Sequence, residues 1–401
     1  MKNKIFATSI HRKLAFILAA MLIPLLSCKK TSWESESEPC TQGETVNPLH
    51  PKGAALQEII DRYTKAGLPG VSIAIYSANG YWAGASGYAK IETNTPMEPC
   101  NLQYAQSVTK TYMAVEILKL YEDGKVNLDD PITDYLPATV SSKVTGANNI
   151  TVRMLLNHTS GVAEYNADPA YISYLLQHPL HKFTTMDYLG YINGKPAQFA
   201  PGTSYAYTNT NYELLALIGD QLTGDHAAFI RDSVFAPLGL TRSFYRNNTG
   251  YLDNPALVNT YWDRYSNSAI ENCSQMQKVN VGSLIGDDGI VATPLDFVKF
   301  LKSLFDGKVL APSTIDQMLT FVRKNPKDTY GYGLGIFTDL YKQQPEYGHN
   351  GSGIGSGCDL GYFPGPNVYF FIAINMGTTV NSPILDHASA MKDEIYDVLI
   401  E

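Results

Sequence analysis

The chain has 401 residues, 44% hydrophobic and 17% charged, which is the balance of a folded protein with a large core and excludes a coiled coil or a disordered chain. Thirty Lys plus Arg stand against 38 Asp plus Glu for a net charge of -8, and no basic block follows the first 30 residues, so no nucleic acid partner is expected. Eight histidines and five cysteines show no C-x-x-C or H-E-x-x-H spacing, so neither a metal nor another cofactor is expected, and the nearest pair, His178 and His181, reads as surface.

Lys2, Lys4, Arg12 and Lys13 precede the apolar run Leu14 to Leu26. That run is too short to cross a bilayer core of about 30 Å and reads as an export signal over residues 1–27. Leu25-Leu26-Ser27-Cys28 has the form of a bacterial lipoprotein cleavage site, with Cys28 as the lipidated residue. Cleavage there removes four basic and no acidic residues, leaving 26 positive against 38 negative charges, net -12. Residues 28–50 lack apolar periodicity and are expected to form a tether spanning roughly 25 Å. Localisation to the cell envelope through this lipid anchor follows as an expectation. Four cysteines remain beyond Cys28, and an exported protein permits disulfides. The expected pairs are Cys40 with Cys100 and Cys273 with Cys358, against the alternative of buried free thiols.

The body, residues 51–401, begins with a helix whose Leu56, Ile59, Ile60 and Tyr63 share one face, closed by Gly67-Leu68-Pro69-Gly70. Val71, Ile73 and Ile75 alternate with smaller or polar residues, and Asn79-Gly80 predicts a tight hairpin into Tyr81–Tyr88. A mostly apolar helix is predicted over 107–122. From about 125 to 300 helical runs such as Asn211–Leu222 and Pro294–Phe305 alternate with Pro/Gly/Asn loops. Strand signals return at Tyr332–Phe337, Ser356–Phe363 and Asn367–Asn375, before an amphipathic helix from about Pro383 to Ile400. The predicted fold class is α/β (α+β): an antiparallel sheet built from both chain ends, flanked by helices, with a mainly helical region inserted.

The chemistry is carried by three elements in order. In Ser107-Val108-Thr109-Lys110 the i, i+3 spacing stacks a lysine behind a serine on one helical face. Burial and the positive end of the helix dipole both disfavour the ammonium, which suits Lys110 to act as base toward Ser107. Tyr207-Thr208-Asn209 supplies a phenol able to pass a proton to a leaving group and an amide able to bond both the lysine and a substrate carbonyl. Gly348-His349-Asn350-Gly351-Ser352-Gly353 reads as the start of a C-terminal strand whose glycines let a substrate approach the backbone.

Together these motifs resemble those of the serine β-lactamase and penicillin-binding protein superfamily, in particular its class C β-lactamase, D,D-carboxypeptidase and esterase branch, over about residues 52–400. Pro69-Gly70-Val71-Ser72, Leu155-Leu156-Asn157-His158-Thr159-Ser160-Gly161 and Gly289-Ile290-Val291-Ala292-Thr293-Pro294 support the resemblance. It implies that Ser107 is the acylated nucleophile, Lys110 its base partner, Tyr207 the shuttle and Asn209 the positioning amide. It further implies that His349, Gly351 and Ser352 bind substrate, with the backbone N–H groups of Ser107 and Ser352 as oxyanion hole. His158 reads as structural. The chain departs from the class C pattern at His349, where lysine is usual, and at Asn350, where threonine or serine helps hold a substrate carboxylate. With an ordinary pKa of about 6.5, His349 is expected to gain charge as pH falls and then to read a substrate's carboxylate. Gly286-Asp287-Asp288-Gly289 replaces small residues and reads as an exposed turn. The expected protein is a monomeric, exported, lipid-anchored serine hydrolase of esters or amides, possible substrates including D-Ala-D-Ala peptides. Acyl transfer, β-lactamase action and a non-catalytic sensor are the alternatives.

Overall fold

The computed structural model describes residues 46–246 and 250–401. The predicted export signal, Cys28, Cys40 and nearly all of the tether lie outside them.

Helix α1 (Gly53–Lys65) buries the predicted face Leu56, Ile59, Ile60 and Tyr63, and Arg62 and Lys65 sit in its last turn, where a cation meets the negative end of the helix dipole. Strands β1 (Gly70–Ser77) and β2 (Gly80–Lys90) form the predicted hairpin with Ser77 opposite Gly80. The turn residues are therefore Ala78 and Asn79, one position earlier than the Asn-Gly signal suggests, and Gly80 takes the positive φ (92°) that glycine tolerates. A short β3 (Thr95–Pro96) follows. Near the C-terminus come β4 (Gly331–Tyr332), β5 (Phe337–Tyr341), β6 (Gln344–Ser352), β7 (Gly357–Phe363) and β8 (Val368–Ile374). The main sheet runs β3-β2-β1-β8-β7-β6-β5-β4 and is antiparallel throughout, with β1 beside β8 joining the two ends of the chain.

Both faces of this sheet are covered, which is why β8 is apolar without alternation. Phe370 and Ile372 pack with Leu56, Ile60, Ile395 and Leu399 beneath α1 and the C-terminal helix. Phe371 and Ala373 face the larger core, where the Phe371 ring stacks 4.2 Å from Phe297. The helical region builds that second core around α2 (Thr109–Glu122), whose residues 109–118 are all buried. A helix buried on every side belongs in the middle of a large protein. It packs against α3 (Asn209–Thr223), while α4 (Pro294–Phe305) lies on β1 and β8, and α5 (Pro383–Ile400) packs on α1.

Two expectations change. The strand expected over Tyr332–Phe337 is two strands, β4 and β5, folded back at Gly335 (φ 76°). Cys273 and Cys358 are free thiols and not a disulfide. Cys358 on β7 donates to the Ala105 carbonyl at 3.1 Å, and Cys273 bonds Thr260 Oγ1 at 3.6 Å, so each is held by a different loop. Cys100 is disulfide-bonded, and its partner lies outside the described residues.

Candidate active site

The site forms where the start of α2 meets β6. Ser107 lies in a 3₁₀ turn, Gln106–Val108, that leads into α2. Gln106 adopts φ 47°, a conformation that costs a non-glycine residue of order 1–3 kcal/mol, and its amide is tied to Ser356 Oγ at 2.7 Å. A small three-stranded sheet, in which Gln103–Tyr104 pairs with Val291–Ala292, fixes the approach to the turn. On the opposite side Gly351 lets β6 come close. A Cβ there would lie 2.6 Å from the Ala105 carbonyl oxygen and 2.7 Å from Gln106 Cβ, so a strand with any side chain at this position would be held away from Ser107.

Lys110 Nζ lies 2.8 Å from Ser107 Oγ and donates to the Asp287 carbonyl at 3.0 Å. The lysine is fully buried, and desolvation lowers its pKa, with Asp287, Asp288, Glu164 and Glu213 opposing that shift. Lys110 Nζ also sits 5.1 Å from the centre of the Tyr207 ring. Tyr207 is 36% exposed at the mouth, yet its hydroxyl reaches Ser107, and desolvation pushes that hydroxyl well above its ordinary pKa. The phenol therefore stays protonated.

His158 holds Tyr207 in place. Its Nδ1 accepts from the Thr208 N–H at 3.1 Å and from the Asn211 amide at 3.2 Å, and its ring lies 4.4 Å from that of Tyr207. An Nδ1 that accepts twice leaves the proton on Nε2, and burial keeps the imidazole neutral.

Asn209 opens α3, and its backbone N–H donates to Glu164 Oε2. The hydrogen bonds of Lys110 run to Ser107 and Asp287 and not to the Asn209 amide, which differs from the expected pairing. Glu164 is a site residue that the sequence did not single out. Desolvation, opposed by the backbone N–H groups of Asn209 and Asn166, pushes its carboxyl up to about 7.

His349, Gly351 and Ser352 stand at the end of β6, not at the start of a strand. Ser352 Oγ is exposed and bonds Thr378 Oγ1 at 2.7 Å. His349 is buried and fully partnered. Its Nδ1 must donate to the Asn350 carbonyl at 2.6 Å, so Nε2 accepts from the Tyr332 hydroxyl at 2.8 Å. Burial and then the charge of Lys110 lower its pKa to about 3. The expected gain of charge near pH 6.5 is thus overturned, because both ring nitrogens are occupied and no solvent reaches them.

The turn at Gly286-Asp287-Asp288-Gly289 is also corrected. Asp287 and Asp288 are buried behind Lys110 and not exposed. A Cβ on Gly286 (φ 71°) would lie 2.2 Å from the Tyr212 carbonyl oxygen, so glycine is what lets the loop turn inward here. Sequence carried one signal for this, the replacement of small residues by two carboxylates beside a motif that supplies a buried lysine.

A serine and a buried lysine at the head of a central helix, faced by a tyrosine and by a sheet edge, set a nucleophile beside a base, which is the arrangement that a serine hydrolase requires, on the β-lactamase and penicillin-binding protein fold. The chain belongs to the beta-lactamase family, whose description matches residues 56–390. This is a family of serine hydrolases. Penicillin-binding protein 4* of Bacillus subtilis is 26% identical, over 65% of this chain and 57% of that protein, so the chain spans less than two thirds of its length. The lovastatin esterase of Penicillium rubens is 26% identical, over 67% of this chain and 77% of the esterase. The structure of a D-amino acid amidase from Ochrobactrum anthropi SV3, solved with L-phenylalanine amide, superposes with a TM-score of 0.75 at 24% identity, covering 87% of this chain and 99% of the amidase.

Proposed function

We propose that the protein is an exported, lipid-anchored hydrolase of esters or amides that works through an acyl-enzyme on Ser107. The observation that carries this reading is the 2.8 Å contact between Ser107 Oγ and a fully buried Lys110 Nζ. Burial disfavours the ammonium, so Lys110 takes the Ser107 proton as Oγ bonds the substrate carbonyl carbon. The oxyanion that forms is received by the backbone N–H groups of Ser107 and Ser352, each worth about 10²–10³ in rate at such sites. Tyr207 passes the proton to the departing alcohol or amine. Water then attacks the acyl group by the same route in reverse, releasing the acid and restoring Ser107. Asn209 and the backbone edge at Gly351 hold the acyl portion, while His349, with both ring nitrogens occupied, positions that edge of β6.

A neutral His349 supports neutral esters and amides over substrates that must be caught by a carboxylate, since β6 supplies no fixed positive charge. Relatives named as an esterase and a penicillin-binding protein, and the neighbouring amidase structure, support that range, with D-Ala-D-Ala-type peptides as one candidate class. Anchoring through Cys28 rests on the Leu25-Leu26-Ser27-Cys28 pattern.

The test is intact-protein mass spectrometry after exposure to activated esters, D-amino acid amides, D-Ala-D-Ala peptides and penicillins. An acyl mass is expected with esters or amides in the natural protein and none in Ser107→Ala. Loss of a covalent nucleophile costs on the order of 10⁶ in rate, whereas the Ser107 hydroxyl caps no helix and receives Lys110, so the variant is expected to fold. Turnover by Ser107→Ala near the natural rate would refute the assignment. For the anchor, Cys28→Ala is expected to leave the membrane fraction, and a mature N-terminus upstream of Cys28 would refute it.

A further inference from the structure

Behind Lys110 lies a second layer of ionisable groups that the acyl-transfer scheme does not use. Glu213, one turn along α3 from Asn209, is fully buried, and its Oε1 accepts from the Ile285 N–H at 3.0 Å. Asp287 Oδ2 accepts from the Tyr165 hydroxyl at 3.1 Å. Each carboxyl is left with one oxygen, Glu213 Oε2 and Asp287 Oδ1, that is buried without a hydrogen-bond partner. The two side chains interact directly. Two unpartnered acceptors in contact are costly as a pair of anions, and a single proton between them satisfies both.

We propose that Glu213 and Asp287 hold one proton between them, and that the single negative charge they carry is the counter-charge against which Lys110 gains and loses its own proton. The proposal rests on the acyl-enzyme reading above and makes Asp287 a positioning residue of the Ser107–Lys110 pair. Three observations place the charge. Asp287 feels the charge of Lys110 and receives the Tyr165 hydroxyl, both of which favour an anion there, while Glu213 receives the Ile285 N–H and the Thr185 side chain. The Asp287 carbonyl receives Lys110 Nζ, so main chain and carboxylate of one residue hold the lysine. Burial raises both carboxyls, and their mutual bond raises Glu213 while it lowers Asp287, so the proton sits on Glu213.

The consequence is a base whose charged form is supported at the moment it forms. As Ser107 Oγ bonds the carbonyl carbon, its proton moves to Lys110 Nζ, and the new ammonium faces the Asp287 anion. When Tyr207 delivers that proton to the leaving group, Lys110 is neutral again. The Glu213 proton stays in place throughout. The other groups that face Lys110 are Asp288 on the same loop and the buried Glu164, both raised to about 7, the protonated phenols of Tyr207 and Tyr212, whose rings lie 5.1 and 5.8 Å from Nζ, and the neutral imidazoles of His158 and His349.

The test compares single-turnover acylation by a neutral activated ester across pH in the natural protein, Asp287→Asn and Glu213→Gln. Removing an anion beside a buried lysine lowers the lysine's pKa, and an opposite charge at this range is worth about 1–3 units. Asp287→Asn is therefore expected to move the acid limb of the profile down by about 1–2 pH units. Its plateau rate should fall because the ammonium has lost its partner. Glu213→Gln, whose amide still donates to Asp287, is expected to keep the limb in place. A limb that Asp287→Asn leaves unmoved overturns the proposal, and so does one that Glu213→Gln moves as far as Asp287→Asn does. Should Asp287→Asn not fold, Tyr165→Phe removes the donor to the anion and is expected to shift the limb in the same direction by less. An unmoved limb in that variant likewise overturns the proposal.

Infrared difference spectra read the pair without catalysis. Glu213→Gln should lose one carboxylic-acid band, and Asp287→Asn should shift that band but keep it. If the natural protein forms no acyl mass, the acyl-enzyme reading fails, while the infrared result still decides whether the two carboxyls share a proton.

Discussion

His349 makes the sharpest quantitative test, because its burial has opposite consequences for stability and for substrate choice. Its native pKa is about 3, against about 6.5 in an unfolded chain. Below pH 6.5 the unfolded state takes up a proton that the native state refuses, so stability falls as pH falls and is fully present only above 6.5. Between pH 7.5 and 5.5 the unfolded histidine gains nearly one decade of protonation, worth about 1.4 kcal/mol. The buried Glu164, Asp288 and Glu346, each raised to about 7, act in the opposite sense over the same range. The effect is therefore read as a difference between the natural protein and His349→Gln, which keeps a donor and an acceptor but does not titrate.

Urea unfolding of both proteins at pH 7.5 and 5.5 is expected to show the natural protein losing about 1.4 kcal/mol relative to the variant. In parallel, the ratio of kcat/KM for a carboxylated substrate to that for its neutral ester should stay flat from pH 5.5 to 8 in the natural protein. Equal losses of stability in the two proteins, or a ratio that climbs as pH falls, would show that His349 does take a proton in the folded state. The neutral-substrate preference would then lose its basis.

Gly351→Ala places a Cβ 2.6 Å from the Ala105 carbonyl and 2.7 Å from Cys358 Sγ. It should cost about 1–3 kcal/mol in thermal unfolding, and by shifting β6 against Ser107 lower single-turnover acylation by about 100-fold. Unchanged acylation would mean that β6 does not set the Ser107 geometry. Tyr207→Phe removes the hydroxyl that reaches Ser107 and should slow turnover by about 10²–10⁴-fold with melting little changed. A full rate would assign proton delivery to another group. Cys358 is buried and its thiol is pushed well above the ordinary value, so iodoacetamide should leave it unmodified in the native protein. After unfolding without reductant, both Cys358 and Cys273 should be alkylated. A Cys273–Cys358 peptide pair in a non-reducing digest would contradict this.

What the sequence determined is whatever depends on neighbours along the chain. The i, i+3 spacing of Ser107 and Lys110 put the serine and the lysine within reach because a helix places such residues on one face. The hairpin from β1 to β2, the sheet drawn from both chain ends and helices such as Pro294–Phe305 followed from periodicity and turn residues, which are local. Tertiary structure decided the electrostatics. Nothing adjacent to His349 in sequence indicates that Tyr332, seventeen residues earlier, occupies its Nε2, and that contact with burial turns an expected pH sensor into a fixed neutral ring. Asp287 and Asp288 read as a polar turn because charged residues between glycines are usually solvated. They are buried because Gly286 turns the loop in against α3 and delivers it to the back of Lys110. Glu164 and Glu213, 45 and 74 residues from Asn209 and Asp287, meet them only in the folded chain. Desolvation and Coulomb interaction depend on distance through space and on the water excluded, and neither is encoded in spacing along the chain.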